Sequence, residues 1–127
     1  MTRNYDTLLL NDPADHVLLV TLNRPQVANA FNTQMAMDLM NLFEGLNINP
    51  AETRAVVVTG SGTRAFCAGG DLKERNTLDD AAWRRQHLIL AQFALAMHTG
   101  LQEGYQRLRP GRRAVFDVSE ELQGETI

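Results

Sequence analysis

The feature that most constrains the fold is the apolar run at residues 55–59 (A-V-V-V-T), together with the glycine-rich segment that follows it. A valine-rich run without a polar face predicts a strand that is covered on both sides. The glycines that follow are Gly60, Gly62, Gly69 and Gly70. Glycine permits positive φ angles and lets another group approach the main chain closely. Asp71 then predicts the N-cap of a short helix. Free N–H groups at such a corner can stabilise negative charge on an oxygen.

Two strands and a helix are predicted before this run. The apolar residues 5–10 and 17–22 are separated by turn-forming residues 11–15, which predicts an antiparallel hairpin whose second strand is the more buried. Between residues 33 and 47, apolar residues recur at three- and four-residue spacing: Met35, Leu39, Leu42, Phe43 and Leu46. This spacing predicts a helix with one apolar face, capped by Asn29 or Asn32. Hairpin, crossover helix and buried strand together predict an α/β layered fold.

A second helix is predicted from a capping signal at residues 77–80 to about Met97. Beyond it, glycines and a proline are expected to interrupt any long element: Gly100, Gly104, Pro110 and Gly111. We therefore divide the chain into residues 1–97, which form part of one domain, and a divergent tail at residues 98–127. The tail contains a basic cluster: Arg107, Arg109, Arg112 and Arg113. We interpret this cluster as solvated surface, with contact to a nucleotide phosphate as the alternative.

Composition excludes several classes of protein. The 127 residues carry a net charge of −3, which provides no basic field for nucleic acid or an anionic membrane. The single cysteine, Cys67, excludes an intramolecular disulfide within this chain. The three histidines have no metal-ligand spacing, and no cofactor or metal is expected. The N-terminal residues contain no secretory signal and no apolar run reaches the length of a membrane span, so we expect a cytoplasmic protein.

Two alternative motifs overlap the glycine-rich segment. Residues 60–65 (G-S-G-T-R-A) fit the dinucleotide-binding fingerprint, but that motif must open a helix at its third position, and the pair Gly69-Gly70 would break such a helix. Cys67 could serve as a nucleophile. It adjoins Phe66 and has no partner triad in the sequence, so a small packing residue is the preferred interpretation.

Three motifs together resemble the enoyl-CoA hydratase/isomerase (crotonase) superfamily. They are L-N-R-P-Q-V-A-N-A-F-N at residues 22–32, R-A-V-V-V-T-G at 54–60 and R-A-F-C-A-G-G-D-L at 64–72. Their order and separation match the N-terminal part of that fold, and the resemblance covers about residues 5–90. It implies a partial crotonase-like (ClpP/crotonase) ββα layered fold. It also implies an acyl-CoA thioester as substrate, with CoA present only as part of it, and a homo-oligomer, commonly a trimer or hexamer.

The resemblance assigns roles to several residues. The backbone N–H of Ala68 matches one of two oxyanion donors to the thioester carbonyl, and Gly69, Gly70 and Asp71 match the surrounding substrate-binding segment. The family more often has alanine where this chain has Gly70. Ala28 and Ala30 match the loop that lies beside the adenine end of CoA. For Asp71 itself, capping the loop is preferred to catalysis.

The second half of the family's site has no counterpart in the sequence. Family members continue with a glycine-rich segment that supplies the second donor, then with catalytic glutamates. Glu103, Glu120 and Glu121 do not stand in that context. Residues 98–102 and 105–108 faintly resemble the far C-terminal part of some crotonases, so an internal deletion, a frame change and an unrelated tail all remain open. We expect hydration or isomerisation of 2-enoyl-CoA as the family reaction, in fatty-acid or amino-acid degradation, and a weak or inactive isolated chain. A non-catalytic CoA-binding or oligomer-associating remnant is the alternative.

Overall fold

The computed structural model describes residues 4–107 and 116–118. Four strands form one sheet in the order β1-β2-β3-β4, with β1 at Leu8–Ala14, β2 at Val17–Leu22, β3 at Ala55–Gly60 and β4 at Phe116–Val118. The helices are α1 at Thr33–Ile48, α2 at Leu72–Arg75 and α3 at Asp80–Arg107, with a single 3-10 turn at Pro25–Val27. β1 and β2 are antiparallel, whereas β2, β3 and β4 run parallel. The predicted α/β layered fold is therefore confirmed.

The hairpin is confirmed, but its turn is shorter than predicted. β1 continues to Ala14 through residues that were expected to form the turn, and the reversal uses only Asp15 and His16. His16 adopts a φ of 64°, which a tight turn requires. The register shifts between Asn11 and Ala14, the segment that contains Pro13. Proline lacks an N–H donor, and an irregular edge strand tolerates it. As predicted, β2 is more buried than β1.

Helix α1 forms the crossover from β2 to β3 and covers the sheet. Its N-cap is Asn32, whose side chain accepts a hydrogen bond from the Met35 N–H at 2.9 Å. All five residues of the predicted apolar face are buried. They pack against alternate residues of β2, namely Leu18, Val20 and Leu22, and against Val56 of β3. Phe43 is fully buried at the centre of this core, with its ring centroid 5.6 Å from that of Phe93 in α3.

Helix α3 is longer than predicted. It begins after Asp79, whose side chain accepts from the Ala82 N–H at 2.7 Å, and continues to Arg107. Gly100 and Gly104 therefore lie inside the helix rather than interrupting it. Glycine costs a helix only about 1 kcal/mol relative to alanine, so its neighbours can outweigh it. β4, which was not predicted, pairs with β3 from within the tail.

The strand β3 is less covered than its apolar sequence predicts. Only Val56 is buried, and the remaining residues of β3 are half-buried. Among the described residues α1 packs on one face of the sheet, which explains the partial exposure. None of the described helices is both long and apolar enough to span a bilayer.

Candidate functional site

Two loops meet beyond the carboxyl ends of the parallel strands β2 and β3. The first loop, residues 23–32, leads from β2 to α1, and the second loop, residues 61–71, leads from β3 to α2. In open α/β sheets, the ends of parallel strands are where ligands bind, because the loops there can vary without disturbing the sheet. All six predicted site residues lie in these two loops, so the structure brings them together.

Asn29 holds the two loops together. Its side chain is fully buried, and it adopts a φ of 56°, a left-handed conformation that asparagine tolerates better than most residues. Its Oδ1 accepts from the Arg24 N–H at 2.9 Å, and its Nδ2 donates to the carbonyls of Ser61 at 2.9 Å and Ala65 at 3.0 Å. Gly60 completes the fit, since a Cβ there would lie 2.8 Å from Asn29 Nδ2. Asn29 is thus a loop staple and not a helix cap.

Main-chain hydrogen bonds join the loops directly. The Ala68 N–H donates to the Ala28 carbonyl at 3.0 Å. Further on, the Phe31 N–H donates to the Gly69 carbonyl at 2.7 Å, and the Phe31 carbonyl accepts from the Asp71 N–H at 3.0 Å. The predicted donor Ala68 is therefore engaged within the protein, and using it as an oxyanion donor would require this bond to open.

The N–H of Gly70 faces away from the first loop. Gly70 forms an isolated parallel bridge with Phe31, in which its neighbours Gly69 and Asp71 make both hydrogen bonds. The N–H of Gly70 itself points away from Phe31 and donates to no group within the described part of the chain. Gly69, with a φ of 94°, provides the backbone reversal, and a Cβ there would contact nothing within 4 Å. The Gly70 N–H is therefore an unpaired donor among the described residues, as are those of several other second-loop residues, among them Gly62, Ala65 and Gly69.

Asp71 is bound on both sides. Its Oδ1 accepts from the Glu74 N–H at 3.2 Å and caps α2, and its Oδ2 lies 3.2 Å from both Nη1 and Nη2 of Arg24. The hydrogen bond from Glu74 and then the Arg24 guanidinium hold the pKa of the Asp71 carboxyl below its usual value, although partial burial opposes them. Arg24 also donates to the Ala30 carbonyl. Asp71 is therefore a charged anchor of the loop, in agreement with the predicted capping role.

A second carboxylate fixes the loop from the other side. Oε1 of Glu74 accepts from the Thr33 N–H at 2.9 Å and the Thr33 hydroxyl at 2.8 Å, at the start of α1. It also accepts from Nε2 of Gln86 in α3 at 2.6 Å. Gln86 is 2% exposed, and its Oε1 has no partner within the described residues. Glu74 therefore links three helices around the second loop.

The predicted CoA-binding residues of the first loop also make hydrogen bonds through their main-chain carbonyls. Ala28 has a φ of 54° and its carbonyl accepts from Ala68, while the Ala30 carbonyl accepts from Arg24. Neither assignment to CoA is tested by these contacts, and both stay predictions.

Sequence reasoning missed the residues that hold the loops, namely Arg24, Asn29 in its observed role, Glu74 and Gln86. The sequence contains a signal only for Glu74, which stands at the third position after the N-cap Asp71, as in a capping box. The partner of Arg24 lies 47 residues away along the chain, and no local pattern indicates such a contact.

The structure bears on the two alternative interpretations of the glycine-rich segment, the dinucleotide-binding motif and the nucleophilic cysteine. Residues 61–71 are not helical and α2 begins only at Leu72, so the second loop lacks the helix that a dinucleotide fingerprint requires. Cys67 is half-buried and packs against the core. No group of three candidate metal ligands occurs among the described residues. A cavity of about 590 Å³ lies at the opposite end of the sheet, beside His16 and Glu52, and includes no residue of the two loops.

Comparison with known proteins identifies the family. The family model for enoyl-CoA hydratase/isomerase matches residues 13–98, which is more than half of the chain. The chain belongs to the enoyl-CoA hydratase/isomerase family. The protein YngF of Bacillus subtilis is 43% identical over 75 residues, which are 59% of this chain and 28% of YngF. The mevalonyl-coenzyme A hydratase of Aspergillus fumigatus is 38% identical over 71 residues, which are 56% of this chain and 26% of that protein.

Several solved structures share the fold of this chain. The enoyl-CoA hydratase of Bacillus anthracis superposes with a TM-score of 0.64 at 31% identity, over 76% of this chain and 36% of that one. The structure of Pseudomonas aeruginosa DspI superposes with a TM-score of 0.66 at 29% identity, over 76% and 36%. The chain thus spans about a third or less of the length of these relatives, and the predicted match to the N-terminal part of the crotonase fold is confirmed.

Proposed function

We propose that this member of the enoyl-CoA hydratase/isomerase family binds an acyl-CoA thioester with its carbonyl oxygen at the second loop. The observation that carries the proposal is the unpaired Gly70 N–H, held outward by the bridge of its neighbours to Phe31. A fixed N–H aimed at a carbonyl oxygen stabilises the negative charge that develops there when the thioester reacts. The original candidate, Ala68, remains the alternative donor, since breaking its bond to Ala28 would free it.

The rigidity of the loops supports this proposal. The Arg24–Asp71 pair, the Asn29 staple and the Glu74 contacts fix the main chain before any ligand arrives. A donor that is already oriented need not be ordered at the moment of reaction, which is the condition for electrostatic stabilisation. Ala28 and Ala30 are proposed to border the adenine end of CoA.

Amide NMR distinguishes the two donors. Adding butyryl-CoA to the 15N-labelled protein is expected to shift the Gly70 amide proton downfield and to leave the Ala68 amide proton hydrogen-bonded to Ala28. A shift at Ala68 together with loss of its exchange protection would restore the first assignment. Free CoA serves as the control, because it has no thioester carbonyl. Unchanged amides at both positions under butyryl-CoA would refute the proposal.

The family reaction is hydration or isomerisation of a 2-enoyl-CoA, and we propose that the isolated chain performs it weakly or not at all. Such chemistry requires a carboxylate that can transfer protons beside the thioester. The two carboxylates that follow Gly70 in the chain already have partners, Asp71 with Arg24 and Glu74 with Thr33 and Gln86. Ordinary family turnover of crotonyl-CoA by the purified chain would contradict this.

A non-catalytic, oligomer-associating role is the second candidate, and the surface of α3 favours it. Trp83, Leu88 and Leu95 are 48%, 67% and 58% exposed, although they lie on a helix that packs on α1 through its other face. Exposed apolar residues on one helix are typical of a surface that another chain covers. Size-exclusion chromatography tests it: association is expected, and a well-behaved monomer that binds butyryl-CoA would exclude this role.

A further inference from the structure

The guanidinium of Arg75 lies directly against the Gly70 peptide. A Cβ atom built on Gly70 would be 2.6 Å from Arg75 Cζ, 2.8 Å from Nη2 and 3.0 Å from Nε. These distances are shorter than van der Waals contact, so the guanidinium fills the space that a side chain at position 70 would occupy. A cation therefore stands beside the Gly70 residue, on the side where its Cβ would be.

The backbone does not explain why position 70 is glycine. Gly69 has a φ of 94° and needs to be glycine for that reason, but Gly70 is not among the residues with positive φ. What the missing Cβ of Gly70 permits is the approach of Arg75. Glycine at this position therefore couples the loop to the last residue of α2.

The charge of Arg75 is not compensated by its neighbours. Asp71 is paired with Arg24, and Glu74 accepts its hydrogen bonds from Thr33 and Gln86. The Arg75 guanidinium makes no ion pair and donates no hydrogen bond within the part of the chain that the structure describes, and the residue is exposed. Gly70, which has an unpaired N–H, and the free planar cation of Arg75 in α2 thus lie next to each other.

We propose that Arg75 is a specificity-determining residue that binds the carboxylate of an acyl group derived from a dicarboxylic acid. This inference rests on the proposed function, because it takes the Gly70 N–H as the place of the thioester carbonyl oxygen. With that oxygen at Gly70, the adjacent guanidinium reaches a carboxylate a few bonds further along the acyl chain. Its fork of N–H donors matches both oxygens of a carboxylate, which a lysine cannot do.

The expected preference is modest, since Arg75 is exposed and ion pairs in water are weak. Exposed pairs contribute up to about 1 kcal/mol, which corresponds to a preference of about two- to fivefold in Kd. A phosphate of CoA shares the same anionic chemistry, so the test must separate the acyl carboxylate from the phosphates.

The experiment measures Kd by titration calorimetry for two thioesters of equal chain length, glutaryl-CoA and valeryl-CoA. The native protein is expected to bind glutaryl-CoA about two- to fivefold more tightly. Arg75→Met should abolish the preference and Arg75→Lys should retain part of it. Gly70→Ala should also reduce it, because its Cβ would displace the guanidinium. Arg85→Met, an exposed arginine of α3, is the matched control and should leave the ratio unchanged.

Each outcome bears on a different statement. Equal affinities for the two thioesters in the native protein would overturn the inference and leave the proposed function standing. If Arg75→Met weakens the binding of both thioesters to the same degree, Arg75 contacts a CoA phosphate, and that also overturns the inference. If neither thioester binds to the native protein, the proposed function is refuted, and the inference with it.

Discussion

The layer of α1 on the sheet buries mainly apolar side chains, with Asp38, which accepts from Thr7, as an exception, whereas the two loops beyond the sheet fully bury the polar side chain of Asn29. In the layer, Phe43, Met35 and Val20 are fully buried and belong to the apolar core. In the loops, the fully buried side chain is Asn29, and it makes three hydrogen bonds to main-chain groups. The two regions share the strands β2 and β3 but are stabilised by different interactions.

The two kinds of interaction differ in how narrowly they restrict the path of the backbone. Apolar burial is favourable for any close-packed arrangement and is proportional to the area removed from water. Hydrogen bonds are favourable only within a narrow range of distance and angle, so a buried polar network specifies one backbone path. The layer therefore supplies stability, and the loops supply the fixed orientation of the Gly70 peptide. The comparison predicts that a core substitution weakens the whole molecule, while a loop substitution mainly releases the loops.

The largest expected effect is that of Phe43→Ala. Removing a fully buried ring deletes its contact with Phe93 and leaves a cavity, which costs about 3–5 kcal/mol of unfolding free energy. Urea denaturation followed by circular dichroism measures the loss. Phe43→Leu is the matched control and should cost less than about 1.5 kcal/mol, because it fills most of the volume. A loss below about 1 kcal/mol for Phe43→Ala would show that this layer is not the stabilising region.

The next effect is that of Asn29→Ala, which we expect to lower the free energy of local opening of the two loops by about 2–4 kcal/mol, because it leaves the Arg24 N–H and the carbonyls of Ser61 and Ala65 without their partner. Hydrogen exchange should show the Ala68 amide losing protection while the core amides keep theirs. Asn47→Ala removes one side-chain hydrogen bond, to the Ala96 carbonyl, and should cost about 1 kcal/mol. Equal loss of protection in core and loops would show that Asn29 does not stabilise the loops separately from the core.

The same contrast explains how much of the fold the sequence could predict. The apolar face of α1 was predicted correctly and its cap Asn32 was one of the two predicted alternatives, because both features depend on spacing within a few residues. The predicted end of α3 at about Met97 was too early, because the helix continues through Gly100, where glycine imposes only a small local penalty. The predicted turn at residues 11–15 was too long, since Pro13 fits an irregular edge strand.

The six predicted site residues lie together in the structure, but their role stays a prediction and their hydrogen bonds could not be predicted from the sequence. Which carbonyl a main-chain N–H meets leaves no trace in the side chain that carries it, so Ala68 and Gly70 could not be distinguished by residue type. The side-chain contacts that hold the loops join residues far apart in the sequence, with a separation of 47 positions for Arg24 and Asp71 and of 41 for Thr33 and Glu74. Such contacts depend on the packed layer that first brings the loops together.

The smallest expected effect concerns the Arg24–Asp71 pair, and it depends on pH. The folded-state pKa of Asp71 is lowered, first by the Glu74 N–H and then by Arg24, so the charged carboxylate is favoured in the folded protein. This contribution is fully present above the unfolded pKa of about 3.8 and is lost as the pH falls through the lower folded value. Because the pair is partly exposed to water, Asp71→Asn should cost less than about 1 kcal/mol at pH 7.

Urea denaturation of both proteins between pH 7 and pH 3 measures this dependence. The difference in unfolding free energy between native protein and Asp71→Asn should be constant down to about pH 5 and should shrink below pH 4, as the native carboxyl takes up its proton. Asp12→Asn, an exposed carboxylate of β1, is the control and should show no such difference. A difference that grew on acidification would mean that the charged carboxylate destabilises the loop. The Arg24–Asp71 pair would then not be what holds the Gly70 peptide in place.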